Sequence, residues 1–408
     1  MDVVHPKCAG LDVHLKIVVA CVRLGSGKTV TYEVRTFGTT THELLALSDW
    51  LSAHGCTHVA MESSGVYWKP VWHVLEGHFE LVLANAMHIR NIPGRKSDVN
   101  DATWIADLLA HGLIRGSFVP PPPVQELRDL TRTRKQLVRE IAQHTLRIQK
   151  TLEDANVKLT TVLADVLGVS GRAILRALVA GERNPDRLAA LANERVKASP
   201  AELAAALHGR VTAHHRFMLT LHLTQIEALE TAVREVEARL GEALAPFRAA
   251  LDHLITMPGI SETTARVIVA EIGIDMTRFP TAGHLVSWAG LCPRLHESAG
   301  KRLSNRTRSS NPWLKTTLVQ AAWSAARKKD SYFRAQFLRL KSRRGPKKAV
   351  LAVAASMLTA AYYILKNEVT YIELGADHFE RRNQTQTARR LVKRLESLGL
   401  IVEVRPAA

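Results

Sequence analysis

Apolar positions in the first part of the chain predict short strands that alternate with helices. The β-branched run at 17–22 follows the segment 9–12, and we interpret the two as one long first strand or as a strand with a bend. The other predicted strands lie at 28–37, 58–61 and 80–84. The predicted helices, recognised from their periodicity, lie at 41–54 and 100–111. Strands with intervening helices indicate an α/β layer.

Four consecutive prolines at 120–123 interrupt this pattern and are expected to close the first domain. Beyond them, apolar residues recur near a heptad spacing within 127–148 and again within 219–240. The pattern predicts an antiparallel coiled-coil arm, formed within one chain or between two chains. Two amphipathic helices packed on a core are an equally good interpretation.

The later part of the chain has a different character. The segment 254–273 contains a Pro-Gly turn and then a helix that begins at Ser261, which is typical of the second half of a helix-hairpin-helix or of an ordinary turn before a helix. Backbone amides and a helix N-terminus in such a motif contact phosphate oxygens without contacting bases. The uncharged segment 349–365 is shorter than a membrane span of about 20 residues, so we expect a buried core helix.

The length of 408 residues and a hydrophobic fraction of 46% suffice for several buried cores. The predicted fold class is an α/β N-terminal domain, followed by a helical coiled-coil region and a mainly α C-terminal domain. The predicted domains are 1–120, 121–250, 251–370 and a basic tail at 371–408. The four cysteines show no paired spacing, which favours a reducing cytoplasm.

The chain is strongly basic, with 55 Lys and Arg residues, 38 Asp and Glu residues and a formal net charge of +17. Such an excess predicts a polyanionic partner, and nucleic acid is favoured over an anionic membrane surface. The excess is concentrated within 294–348, where sixteen basic residues accompany two acidic ones. The candidate nucleic-acid contacts are Lys96, Lys301, Arg302, Arg306, Arg308, Lys315, Arg343, Arg344, Lys347 and Lys348.

Four acidic residues stand out in so basic a chain because of where they lie. Asp12 follows a Gly-Leu step in the first strand, and Glu62 follows the strand at 58–61. Asp98 and Asp101 would share one side of a first helical turn if the helix at 100–111 begins early enough. Singly, each is explained as a helix cap or a surface turn residue. Together they favour a Mg²⁺ site for phosphoryl transfer, because Mg²⁺ prefers carboxylate oxygen.

Three segments contain these carboxylates, in the order GLDVHLK, MESSGVYW and RKSDVNDATWIADLL. They resemble the motifs of insertion-sequence transposases with a RuvC-like DEDD domain, the bridge-RNA-guided DNA recombinases. The C-terminal transposase domain of that family resembles PGISETTARVIVAEIG and the sequence that follows it. The resemblance implies an RNase H/RuvC-like N-terminal fold. It also implies a Mg²⁺ or Mn²⁺ site whose ligands are Asp12, Glu62, Asp98 and Asp101.

The resemblance further places a serine nucleophile at Ser298, in the segment ESAGKR. The family often has Gly directly after this serine, whereas Ala299 precedes Gly300 here. The alternative nucleophiles are therefore the neighbouring Ser304, Ser309 and Ser310. A serine hydroxyl needs a metal or a base beside it to become a good nucleophile.

The activity implied by the resemblance is DNA strand exchange in a mobile element, through a covalent phosphoserine intermediate. The implied partners are donor and target DNA and a structured guide RNA of the element. The implied assembly is a dimer-based tetramer whose active sites combine domains of different protomers. We expect a nucleoid-associated protein of a prokaryotic cytoplasm and no membrane partner.

Two other functions fit the same residues. One is a RuvC/RNase H-like metal-dependent nuclease or junction resolvase, which would activate water with the carboxylates and leave Ser298 unused. The other is a non-catalytic nucleic-acid-binding scaffold with structural acidic residues. Metal-dependent hydrolysis without a covalent adduct would indicate the nuclease, and binding without metal dependence would indicate the scaffold.

Overall fold

The computed structural model divides the chain into two compact units, Met1–Val119 and Pro120–Ala408. The finer division into four domains stays a prediction. The structure describes residues 2–25, 29–63, 65–86, 89, 92, 100–293, 297–298, 300–302, 306–307, 310–382 and 384–403.

The first unit contains a mixed five-stranded sheet with strand order β3-β2-β1-β4-β5. Its strands are β1 (Lys7–Val13), β2 (Ile17–Leu24), β3 (Thr31–Gly38), β4 (His58–Glu62) and β5 (Glu80–Ala84). Its described helices are α1 (Thr41–Ala53), α2 (Trp68–Leu75) and α3 (Asp101–Ala110). β1 is antiparallel to β2 and parallel to β4, so the sheet joins a hairpin-linked half to a parallel half. This architecture confirms the predicted α/β layer and agrees with the RuvC-like fold.

The prediction of one long first strand was wrong. β1 and β2 are separate antiparallel strands whose register pairs Val13 with Val18. The chain reverses over three residues, and the amide of His14 donates to the carbonyl of Ile17 at 2.9 Å. The other predicted strands and helices of this unit are confirmed, with boundaries that differ by at most three residues from the predicted ones.

Each face of the sheet has its own core because side chains alternate along a strand. On one face, Leu11 and Val13 of β1 belong to the cluster that includes Leu47 of α1 and Val71 of α2. On the other face, small residues of the sheet pack against Ile105, Leu108 and other apolar residues of α3. These small sheet residues are Cys8, Ala60 and Ala84.

The contact between α3 and β1 is unusually close at Gly10. A Cβ atom at Gly10 would lie 2.2 Å from the carbonyl oxygen of Ala102 and 2.4 Å from the amide nitrogen of Ala106. Both of these are backbone atoms, which cannot rotate away as a flexible side chain can. Glycine is therefore required for α3 to reach its place on the sheet.

The second unit begins with a long helix that is paired with another long helix. Helix α4 (Pro122–Asp154) starts within the proline run, because the first turn of a helix has no intrahelical use for backbone N–H groups. Its partner α9 spans Ala213–Ala243. The side-chain contacts that join them are Arg134–Glu237, His144–His222 and Asp154–His215. The residue numbers increase along α4 while those of the contacted residues in α9 decrease, so the two helices form an antiparallel arm within one chain.

A group of short helices packs at one end of this arm. They are α5 (Leu159–Val162), α6 (Val169–Ala180), α7 (Pro185–Ala189) and α8 (Pro200–Leu207). Their core combines residues of the short helices, such as Leu175, with Ile148 and Leu152 of α4 and Leu219 of α9. The middle of the chain is thus a helical module built on the arm.

The rest of the second unit is mainly helical, as predicted. Its described helices are α10 (Arg248–Ile255), α11 (Glu262–Ile272), α12 (Ala282–Trp288), α13 (Pro312–Ala325), α14 (Tyr332–Arg344), α15 (Pro346–Asn367), α16 (His378–Arg382) and α17 (Gln384–Glu396). A two-stranded ribbon is formed by β6 (Glu297–Ser298) and β7 (Lys301–Arg302). The predicted turn before a helix is confirmed, and Ser261 caps α11 by accepting from the amide of Thr264.

Helix α15 contains the uncharged segment noted in the sequence. By length and composition it is the one helix of the described residues that could cross a membrane. Its apolar side chains, Val353 and Met357 among them, are buried within the second unit. The prediction of a core helix is confirmed.

A buried carboxylate joins three helices of the second unit. Glu271 of α11 is fully buried, and its two oxygens accept from Nε and Nη2 of Arg132, each at 2.8 Å. Arg128 also contacts this carboxylate, at 3.3 Å, and both arginines belong to α4. Asn311 donates to it from the N-cap of α13. A carboxylate without water needs such partners to remain charged.

We expect Gly10→Ala to destabilise the first unit by about 3 kcal/mol, because a methyl group would overlap the backbone of α3. Urea unfolding followed by circular dichroism measures the change. Gly116→Ala is the matched control, since its Cβ would make only an ordinary 3.7 Å contact with Val82. Equal stability of the two variants would contradict the close approach.

We expect Glu271→Gln to lower the free energy of unfolding by about 3 kcal/mol, because the substitution leaves two arginines without their buried counter-charge. The matched control is Glu237→Gln. Its partner is Arg134, and both side chains of this pair are about a third exposed or more, so a loss below about 1 kcal/mol is expected. Similar losses in both variants, measured by urea unfolding, would contradict the role assigned to the buried charge.

Candidate active site

Asp12 and Glu62 lie at matching positions on adjacent parallel strands. The register of β1 and β4 pairs Gly10 with Ala60 and Leu11 with Met61, so the next residue of each strand is a carboxylate. Side chains alternate along a strand, so Asp12 points to the same face as Gly10 and Glu62 to the same face as Ala60. This is the face that α3 covers.

Asp101 is brought to the same end of the sheet by the direction of α3. The thiol of Cys8 donates to the carbonyl of Ala106, whereas Gly10 contacts Ala102. The end of β1 that contains Asp12 therefore lies beside the start of α3, whose first residue is Asp101. The structure thus places three of the four predicted carboxylates, Asp12, Glu62 and Asp101, at one edge of the first unit.

Helix α3 does not begin before Asp101, which is the condition that the predicted shared turn required. Helix α3 begins at Asp101, and Asn100 before it has extended backbone with ψ of 137°. The Asn100 side chain caps the helix by accepting from the amide of Ala102 at 2.9 Å. Asp98 itself lies outside the described residues, as does Lys96.

The donor chemistry of this edge suits a hard cation, because carboxylate oxygens are the protein ligands that Mg²⁺ takes. Within the described part of the chain, no group of three or more His, Cys, Asp or Glu side chains is close enough to hold a metal ion.

His14 Nε2 lies 3.1 Å from the Asp12 carboxylate, whose side chain is 22% exposed. Asp12 is therefore oriented by a neighbour and still reachable from solvent.

The cysteines of this unit take no part in the edge. Burial raises the pKa of Cys8 to about 12 and that of Cys56 to about 11. A thiol with so high a pKa is protonated at neutral pH and is a poor ligand and nucleophile. Both side chains are buried and serve as small apolar groups.

Ser298 lies at the end of a short β-ribbon in the second unit. The ribbon pairs Ser298 with Lys301 and Glu297 with Arg302. Its turn contains Gly300 with a φ of 75°, a left-handed conformation that favours glycine. Gly300 at the second position after the serine therefore has a structural role in the turn.

The alternative serines differ in what the structure says of them. The Ser310 hydroxyl is buried, with no hydrogen-bond partner among the described residues, which makes it poorly placed to attack a large substrate. Ser304 and Ser309 lie outside the described residues.

The segment that contains Ser298 is fixed at its two ends. Pro293 and Thr307 form an antiparallel bridge that closes it. Lys315 of α13 donates to the hydroxyl of Thr307 at 2.5 Å, and burial lowers the pKa of this lysine. Asn311 then caps α13, with its side-chain oxygen accepting from Trp313 and Leu314. The same Asn311 donates to the buried Glu271, which connects the serine-bearing segment to the arm.

The remaining predicted nucleic-acid contacts are mostly exposed where the structure describes their side chains. The exposed ones are Lys301, Arg306, Arg343, Arg344, Lys347 and Lys348. Arg343 and Arg344 end α14 and the two lysines begin α15, so these four form one basic corner. Lys315 is half-buried against Thr307, and the side chains of Arg302 and Arg308 lie outside the described part of the structure.

Sequence reasoning missed the residues that join the arm to the serine-bearing segment. Glu271 is the clearest case, and its signal was present as a single charge within the apolar run VIVAEIG. Lys135 and Arg139 were also missed. Each stands near the ring of Trp313, at 5.6 and 5.4 Å from its centroid, and only the fold shows this proximity.

Comparison with known families agrees with both units. A family model described as "Transposase", of the IS110 DEDD type, matches residues 9–157. A second model, described as "Transposase IS116/IS110/IS902 family", matches residues 251–338. The first match contains the carboxylate edge and the second contains the Ser298 ribbon. Together they cover more than half of the chain.

A curated relative is similar over a shorter stretch. The "Insertion element IS110 uncharacterized 43.6 kDa protein" of Streptomyces coelicolor is 29% identical over 151 residues. The aligned part spans 36% of this chain and 36% of that protein. Both family matches and the predicted order of motifs agree, and the chain belongs to the IS110 family of transposases.

Proposed function

We propose that this protein is a DNA recombinase that moves an insertion element, guided by a structured RNA of that element. The observation that carries the proposal is the alignment of Asp12 and Glu62 on adjacent parallel strands, with Asp101 of α3 at the same edge. Carboxylates at one edge of a sheet in a chain of net charge +17 are suited to metal-assisted chemistry on a phosphodiester. The family membership supports DNA as the substrate.

In this proposal Asp12, Glu62, Asp98 and Asp101 hold Mg²⁺ or Mn²⁺. The bound ion would stabilise negative charge that develops on a phosphate oxygen. The protein's own contribution is rigidity, because two of these carboxylates extend from the sheet and a third begins the helix packed on Gly10. His14 holds the Asp12 carboxylate in one orientation.

Ser298 is the proposed nucleophile. Its hydroxyl oxygen would form a bond to the scissile phosphorus while the bond to a DNA oxygen breaks, and the serine proton is lost as the departing oxygen gains one. One phosphodiester linkage is exchanged for another, so no oxidant or nucleotide is consumed. A hydroxyl of the second strand would then displace the serine. Lys301 opposite Ser298 in the ribbon supplies positive charge next to the reacting phosphate.

DNA backbone contacts in this proposal include the basic corner of Arg343, Arg344, Lys347 and Lys348 and the exposed Arg306. Lys96, Lys301, Arg302, Arg308 and Lys315 complete the proposed contacts. Base pairing by the guide RNA would supply sequence choice, so the protein needs only backbone and shape contacts. Several copies of the chain would act together on donor and target DNA.

We expect Ser298→Ala to abolish excision of the element, because no other group would supply the covalent linkage. Junction PCR for excised circles, in cells that express matched soluble levels of each protein, measures the loss. A decrease of about 10³-fold or more is expected for removal of a nucleophile. Ser310→Ala is the control and should keep near-normal activity, because its hydroxyl is buried.

Circles at the normal level in the Ser298→Ala strain would refute the serine assignment. Denaturing gels of wild-type protein with end-labelled DNA add a second readout. A protein–DNA adduct that withstands denaturant supports the recombinase, whereas metal-dependent cleavage without an adduct supports the nuclease. Binding with neither reaction supports the scaffold.

We expect Asp12→Asn and Glu62→Gln each to lower excision by about 10³-fold or more while the protein stays folded. Both substitutions keep side-chain size and remove one negative charge from the proposed metal site. Asp49→Asn, at an exposed position of α1, makes the same change of charge elsewhere in the first unit. Normal junction PCR from Asp12→Asn protein would contradict the metal site.

A further inference from the structure

A cleft in the second unit is lined by basic and hydroxyl side chains that have no part in the reaction proposed above. It lies between α4, α11 and α13 and has a volume of about 660 Å³. Four basic side chains line it, and its lining includes no acidic residue. The basic residues are Arg134, Lys135, Arg139 and Arg266.

The positive charge of this cleft is only partly compensated. Arg134 pairs with Glu237, and Arg266 pairs with Glu262. Lys135 donates instead to the hydroxyls of two threonines of α13, Thr316 at 2.9 Å and Thr317 at 3.4 Å. Neither Lys135 nor Arg139 forms an ion pair within the part of the chain that the structure describes. Two cations thus remain to attract an anion.

The position of these two cations is fixed before any ligand arrives. Lys135 and Arg139 lie one helical turn apart on α4, and both stand near the ring of Trp313. Burial and the neighbouring Arg139 lower the pKa of Lys135, while the charge of the buried Glu271 acts in the opposite direction. An anion in the cleft would offset the repulsion between these two cations.

Hydroxyl groups complete the lining, although those of Thr131, Thr316 and Thr317 already donate to backbone carbonyls of their own helices. The hydroxyl groups of the cleft belong to Thr131, Ser261, Thr263, Thr264, Thr316, Thr317 and Ser324. The cleft also includes Arg266, whose Nε is buried and has no hydrogen-bond partner among the described residues. A buried donor without an acceptor costs about 1–3 kcal/mol unless something satisfies it. The N-terminus of α11, with its partial positive charge, is on the same side.

We propose that this cleft binds the phosphodiester backbone of a nucleic acid strand, with Lys135 and Arg139 in contact with phosphate oxygens. The proposal rests on the proposed function for its class of ligand, and it adds a binding surface on the coiled-coil arm. Hydroxyls and cations contact phosphates of any sequence, so the cleft positions a strand without selecting bases. DNA and guide RNA share this backbone chemistry, and the test distinguishes them.

The test is fluorescence polarisation of the full-length protein with two labelled probes, a short mixed-sequence DNA duplex and an RNA hairpin, across a range of salt concentrations. The double variant Lys135→Gln, Arg139→Gln should bind one probe about 10-fold more weakly at physiological salt. Loss of two phosphate contacts should reduce the slope of log K against log salt by about 2 for duplex DNA and by somewhat less for single-stranded RNA. The probe that changes identifies the strand that the cleft binds.

Two further variants control for charge and for folding. Arg147→Gln, Lys150→Gln makes the same change of charge on exposed positions of α4 outside the cleft, and its slope should change less. Gln320→Glu changes one exposed residue of the cleft by charge alone. Gln320→Glu should lower the affinity for the same probe, and it can be measured even if the double variant does not fold.

The outcomes separate this proposal from the proposed function. If the wild-type protein binds neither probe, the proposed function fails as well. If the wild-type protein binds a probe but neither cleft variant changes the affinity or the salt slope, only the cleft proposal is overturned. The same holds if the control variant Arg147→Gln, Lys150→Gln changes affinity and slope as much as the cleft double variant does. Stabilisation of the wild type by inorganic phosphate, with unchanged probe binding by the cleft variants, would assign the cleft to a small anion and also overturn the proposal.

Discussion

The first unit depends on the absence of a side chain at Gly10. With a Cβ there, α3 would have to move outward by more than an ångström, because its backbone occupies the space that the Cβ would take. That movement would take Asp101 away from Asp12 and Glu62, which are fixed by the sheet. The closeness of one helix to one strand thus sets the geometry of the carboxylates. Small residues around it, Ala60, Ala102 and Ala106, serve the same close packing.

In the second unit a buried charge has the corresponding role. The pairing of Glu271 with its two arginines adds little net stability to the fold, because removing three charged groups from water has a large desolvation free energy. Its role in the fold is to link α4 and α13 to α11, because moving either helix away would leave the buried carboxylate short of a partner. Asn311 uses its amide nitrogen on Glu271 and its oxygen on the start of α13. The point at which the chain leaves the Ser298 segment is therefore fixed by the arm.

Most elements could be predicted from the sequence because the residues that face a core are apolar and recur at the spacing of a helix or a strand. The helix at 41–53 was found because its apolar residues recur at helical spacing, and the strand at 58–62 because both of its faces are buried and give a short apolar run. The first hairpin was missed because its turn, His14-Leu15-Lys16, lacks the glycine, asparagine or proline that marks most turns. The carboxylates were found through their motifs, whereas Glu271, Lys135 and Arg139 could not be assigned, since their partners are distant in sequence. The start of the helix at 101–110 was predicted one residue early, because a capping asparagine belongs only partly to the helix that it caps.

The arm has a consequence for how copies of this chain can associate. Its two helices pair with each other in one chain, and the apolar core at one end also joins them to the short helices. The seam that a coiled coil offers to a partner is therefore already filled. Two chains could use it only by exchanging α4 or α9, which would require the segment between Asp154 and Ala213 to separate from the arm and expose its core. Copies that associate without such an exchange would have to use the outward faces of the arm, where Val138, Leu146, Phe217 and Leu221 are exposed, or surfaces elsewhere in the chain.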